Sequence, residues 1–145
     1  MDDLTAAKRL LDENPENTCA LSLHGKSAVS RGRGISPLLS VLDGKENWKG
    51  ACAADTVVGR AAALLYCFIG VRAVYARVAE DGAAKVFEER GIELVFERRT
   101  ENIINRKGTG MCPMNVAVRN ISSPKEAYAV LKEAYDGESA KWLSV

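Results

Sequence analysis

Leu4, Ala7, Leu10 and Leu11 recur at helical spacing and predict a first helix over residues 3–12, with Asp2 or Asp3 as its cap. Asn14-Pro15 ends it. From Thr18 to Leu23 the pattern alternates, His24-Gly25-Lys26 turns the chain, and Ser27 to Ser30 returns as the second arm of a β-hairpin. Ser36-Pro37 reads as N-cap and first residue of a short helix closed by Gly44. A longer helix is predicted from about Ala54 to Phe68, with Gly70 past its end. Val71 to Val78 has the Val and Tyr content of a strand, and Asp81 opens a helix that Gly91 stops. Ile92 to Arg98 alternates apolar and charged residues as a half-exposed strand. Thr100 to Gly110 has no periodicity and is a functional-loop candidate. Pro113 starts a short helical segment, and Ser123-Pro124-Lys125-Glu126 is a capping box for a helix burying Ala127, Val130, Leu131 and Ala134.

Strands interleaved with helices predict an α/β domain of three layers, a mixed sheet flanked by helices. With 145 residues, the chain reads as one domain over 1–145. Residues 137–145 form a tail whose Trp142-Leu143 pair either docks back or meets a neighbouring subunit, so a homo-oligomer is one partner class. A hydrophobic fraction of 47% against 27% charged residues excludes a disordered chain. The formal charge of +1 provides no basic field, and 6% aromatics offer little stacking surface. Nucleic acid is therefore not the expected partner, although Arg31, Arg33, Arg98, Arg99, Arg106 and Lys107 supply local charge. The most apolar run, Ala61 to Val71, falls short of the ~20 residues that span a bilayer, so no membrane partner is expected. Met1-Asp2-Asp3 lacks the basic and apolar regions of a secretory signal, and the cysteines read as reduced thiols. The expected compartment is cytoplasmic.

His24 with Cys19, Cys52, Cys67 and Cys112 is the whole supply of soft ligands, and no cysteines form a C-x-x-C pair. No metal site or cofactor is predicted. Gly32-Arg33-Gly34-Ile35-Ser36-Pro37 lacks the third glycine of a dinucleotide fingerprint, and Gly44-Lys45 has no P-loop glycine upstream. There is no Gly-x-Ser-x-Gly elbow, and His24 reads as a solvated turn residue. The order hairpin, helix near Cys52-Ala53-Ala54-Asp55, strand, helix looks like the core of the cytidine-deaminase-like fold. Zinc deaminases begin the first of those helices with His/Cys-x-Glu and the next with Pro-Cys-x-x-Cys. Cys52 could stand for the first ligand, but Asp55 falls one residue too late for the acid/base. The following strand ends Val78-Ala79-Glu80-Asp81-Gly82 without a cysteine. Two of three protein ligands are missing, so zinc-dependent deamination is not expected.

Asp55-Thr56-Val57-Val58-Gly59-Arg60-Ala61-Ala62-Ala63, together with Asn105-Arg106-Lys107-Gly108-Thr109-Gly110-Met111-Cys112-Pro113, resembles a bacterial family known as domain of unknown function 1893. The resemblance covers about Asp3 to Asp136. It implies a cytidine-deaminase-like fold without the zinc motif, and it supplies no reaction. One departure is Asn115, where an acidic residue is expected after Cys-Pro-x.

Asp55, placed at a helix start, is either a capping carboxylate or an acid/base facing a cleft. Arg60 either meets solvent or charges that cleft. Gly108-Thr109-Gly110 frees backbone N–H groups to converge, and Asn105, Arg106 and Lys107 adjoin them. Together they could hold a phosphate or carboxylate, or form an ordinary basic turn. Cys112, just before Pro113, is the nucleophile or redox candidate, against a buried structural role; Cys19 and Cys67 read as core. Three functions follow: binding of a small anionic or nucleotide-like molecule, a cysteine-dependent enzyme or sulfur carrier using Cys112 with Asp55, and a structural or regulatory homo-oligomeric module.

Overall fold

The computed structural model describes residues 2–103 and 111–145. Helix α1, Asp3–Glu13, starts where the Asp2 carboxylate accepts the Thr5 N–H at 2.7 Å. Strands β1, Cys19–Leu23, and β2, Lys26–Ser30, form the hairpin, turned by His24 and Gly25 at φ 48° and 87°. Helix α2 spans Ser36–Asp43; Ile35 takes the cap position, and the Ser36 hydroxyl donates back to the Arg33 carbonyl at 2.7 Å.

The long helix expected from Ala54 splits in two. Cys52–Val58 is strand β3, and helix α3, Arg60–Ile69, begins only after Gly59. Strand β3 lies inside the sheet with both faces covered, so its apolar positions do not alternate, and its alanines read as helix. The β-branched run Thr56-Val57-Val58 and the following glycine mark the true boundary. Asp55 therefore sits in a strand and caps no helix.

Strand β4, Ala73–Glu80, helix α4, Asp81–Arg90, and strand β5, Glu93–Thr100, complete a run of parallel strands. Gly70 and Gly91 close α3 and α4 in the left-handed conformation. After the one-turn helix α5, Pro113–Ala117, helix α6, Pro124–Ala134, opens with Ser123 accepting the Glu126 N–H at 3.2 Å. Strand β6, Trp142–Ser144, docks the tail against β2, and the Trp142 indole donates to the Pro37 carbonyl at 2.8 Å.

The six-stranded sheet has the order β5-β4-β3-β1-β2-β6, with β1 antiparallel to β2 and β3. One face is covered by α1, whose Ala7 and Leu11 pack on Ala20, Val29, Ala54 and Tyr75. The larger core fills the opposite face, where Leu38, Leu64, Leu65, Phe87 and Leu131 come from α2, α3, α4 and α6. The fold is an α/β mixed sheet with flanking helices, and among the described residues no helix is long and apolar enough to cross a membrane.

Candidate functional site

Three chain segments meet at the start of α3. Its first two N–H groups lack a cap of their own, and distant side chains supply one. Glu80, at the end of β4, accepts the Arg60 N–H at 3.2 Å, and Asn115, on α5, accepts the Ala61 N–H at 2.9 Å. The other Glu80 oxygen accepts the Ile103 N–H at 3.0 Å. Glu80 and Asn115 are both buried. Gly59 makes this approach feasible: a Cβ there would lie 2.5 Å from the Asn115 amide nitrogen and 2.9 Å from Ile103.

Beside this junction lies a cleft of about 450 Å³. Ile35, Val57, Ala62, Ile103, Pro113 and Met114 form its apolar walls, while Arg33, Asn115 and Cys112 contribute polar groups. Arg33 is exposed and Cys112 half-buried. The Cys112 N–H closes the floor by donating to the Ile103 carbonyl at 2.9 Å.

A smaller pocket of about 300 Å³ adjoins the cleft and shares Arg33, Gly34 and Val57 with it. Asp55 and Cys19, directly paired across β3 and β1, both line it. The Tyr66 hydroxyl, from α3, donates to Asp55 Oδ2 at 2.6 Å and sits 3.2 Å from the Cys19 sulfur. The Thr56 N–H donates to the other Asp55 oxygen at 2.7 Å. Burial raises the Asp55 pKa to about 7, against the opposing pull of the Tyr66 and Thr56 hydrogen bonds. Burial, reinforced by Asp55, pushes both the Cys19 thiol and the Tyr66 hydroxyl upward.

A profile for the domain of unknown function DUF1893 matches residues 6–135. The chain belongs to that family. A crystal structure of a DUF1893 family protein from Thermotoga maritima superposes on it with a TM-score of 0.82. The two chains share 19% identity over 93% of this one and 92% of that one, a likeness that speaks to the fold alone. No curated protein matches the chain.

Within this DUF1893 chain, the expected site residues part company. Cys112 lines the larger cleft and Asp55 the pocket beside it. Arg60 turns to neither: its guanidinium donates to the Val118 and Ile121 carbonyls, tying the chain after α5 to α3. Asn105, Arg106, Lys107, Gly108, Thr109 and Gly110 lie outside the described residues. The helix starts at the cleft are those of α2, α3 and α5, the last preceded by Cys112, while Cys52, the first-ligand candidate, is fully buried at the beginning of β3. Among the described residues no group of three or more His, Cys, Asp or Glu is placed to hold a metal ion. Of the residues expected in the core, Cys19 is enclosed, whereas Cys67 is only half-buried.

Sequence reading missed the roles of Glu80 and Tyr66. In sequence Glu80 reads only as part of the strand end before Asp81, although an acid ending a parallel strand stands where helices begin. Tyr66 gave no signal, because its partners come from two strands distant in sequence.

Proposed function

We propose that the chain binds a small anionic, nucleotide-like molecule in the cleft between α2, α3 and α5, on a cytidine-deaminase-like scaffold. The cleft itself carries this reading. Its volume of about 450 Å³ suits a small organic ligand, its apolar walls suit a flat ring, and exposed Arg33 suits an anionic group. The scaffold assignment is supported by the hairpin and α2 preceding three parallel strands joined through α3 and α4. Of the helix starts at the cleft, Ile35-Ser36-Pro37 and Gly59-Arg60 carry no zinc-binding side chain, and Cys112 before α5 is a single thiol, short of a three-ligand set.

Asp55 adds a group able to hold or release a proton near neutral pH beside this cleft. A second reading, a cysteine-dependent enzyme or sulfur carrier, is favoured by one observation: Cys112 alone among the cysteines lines the cleft. Its separation from Asp55 into an adjoining pocket leaves the thiol to work with Asn115 and Arg33 instead.

Thermal-shift titrations with nucleoside mono- and diphosphates, sugar phosphates and inorganic phosphate test the binding. A nucleotide is expected to raise the melting temperature. Arg33→Ala should weaken the effect about tenfold or more, by loss of a charge-assisted contact, and Ala62→Met should abolish it by filling the cleft. Absence of any shift, or a shift that both variants retain, overturns the reading.

A further inference from the structure

Strand β5 is one edge of the sheet, and its outer side is unpaired among the described residues. The Glu93 N–H points inward to the Arg72 carbonyl at 3.3 Å. Alternation along a strand then sends the N–H and C=O of Leu94 and Phe96 outward, ready to pair. Val95 and Phe96 are each 41% exposed, large apolar side chains in the middle of an eight-residue edge. Sheet edges are ordinarily protected by brevity, proline or charged side chains, lysine above all; the charges of β5, Glu93, Glu97, Arg98 and Arg99, include both signs and can pair as well as repel. The opposite edge, β6, has three residues, whereas β5 has neither proline nor lysine.

We propose that β5 pairs antiparallel with β5 of a second copy of this chain, about a two-fold axis through Phe96, joining the two sheets into one. The charge order of the strand selects both the partner and the register. Glu93 stands at one end, Leu94-Val95-Phe96 in the middle, and Arg98-Arg99 at the other end. Antiparallel self-pairing centred on Phe96 sets Glu93 of each strand opposite Arg99 of the other and brings the two Phe96 rings together. A parallel copy would set glutamate on glutamate and arginine on arginine. Centring on Val95 would oppose Glu93 to Glu97, and centring on Glu97 would oppose that residue to itself; like charges directly opposite disfavour both. The centred arrangement also lets each Phe96 exchange both of its outward backbone bonds with its symmetry mate. Arg99 uses its Nε to donate to Asp81 at 2.6 Å, so Glu93 of the second copy would meet the remaining guanidinium N–H groups.

Sedimentation velocity on the full chain tests this. The wild type is expected to sediment as a dimer, and Phe96→Lys as a monomer with an unchanged circular dichroism spectrum. Glu93→Arg and Arg99→Glu should each be monomeric alone and form a heterodimer when mixed, since mixing restores opposite charges at both ends. A wild-type chain that stays monomeric at millimolar concentration overturns the proposal. So does a dimer that Phe96→Lys leaves intact, which would mean that assembly uses another surface, or a mixture of the charge variants that stays monomeric.

Discussion

The side-chain carbonyl of Asn115 lies 2.9 Å from the backbone N–H of Ala61, while its amide nitrogen faces a Glu80 oxygen at 3.5 Å. An amide can accept on one side and donate on the other, and this position uses both capacities. An aspartate would keep the acceptor but set a second carboxylate against Glu80 in a buried place.

Asn115→Asp is therefore expected to destabilise the fold by about 1–3 kcal/mol at pH 8. The penalty should shrink below pH 5. Repulsion raises the folded-state pKa of the introduced carboxyl, so this cost is incurred as pH rises above its unfolded value and relieved as pH falls. Urea unfolding of both proteins from pH 4 to pH 8 measures it. A stability difference that does not vary with pH would contradict the paired carboxylates.

Asp55 gives a pH dependence of its own. Its folded pKa of about 7 exceeds the ordinary 3.8, so the unfolded chain ionises first as pH rises. This residue leaves stability untouched below about pH 4, erodes it between there and neutrality, and has a constant effect above. The full cost is on the order of 4 kcal/mol. Asp55→Asn removes that slope. The stability of the variant relative to wild type should rise from pH 5 to pH 8, as read from denaturant midpoints, and a flat difference would show Asp55 ionised throughout.

Gly59 has φ of −100°, which any residue adopts, so its requirement lies in contact alone. Gly59→Ala would drive a methyl group into the Asn115 amide and Ile103, at an expected cost of about 1–3 kcal/mol. Adding Asn115→Ala should recover part of that loss, giving a coupling energy in a double-mutant cycle on thermal unfolding. Strict additivity would place the clash elsewhere.

What the sequence made legible was local. Asp2 and Ser123 cap the helices they were expected to cap, because the bond closes within three residues. Gly70 and Gly91 end helices through their own backbone freedom. Strand β3 was hidden because burial on both faces erases alternation, and that error carried Asp55 onto a helix start. The site was less legible for a related reason. Asp55 meets Tyr66 and Cys19 only once the β1–β3 pairing and α3 are in place, and Arg60 finds its carbonyls 58 and 61 residues away. Cys112 stood out in the sequence as a nucleophile candidate because proline and a helix start follow it directly, and the structure places it in the cleft lining. Its distance from the Asp55 pocket depends on tertiary packing, which no local pattern encodes.

Glu80 splices three parts of the chain through one carboxylate: it ends β4, caps α3 at Arg60 and fastens the segment leaving β5 at Ile103. Ile103 is also a wall of the cleft. Displacing that wall pulls on the same carboxylate that seats the first turn of α3, so the shape of the cleft and the anchoring of the central helix are geared together. Any molecule lodged against Ile103 would therefore press, through Glu80, on the seat of α3.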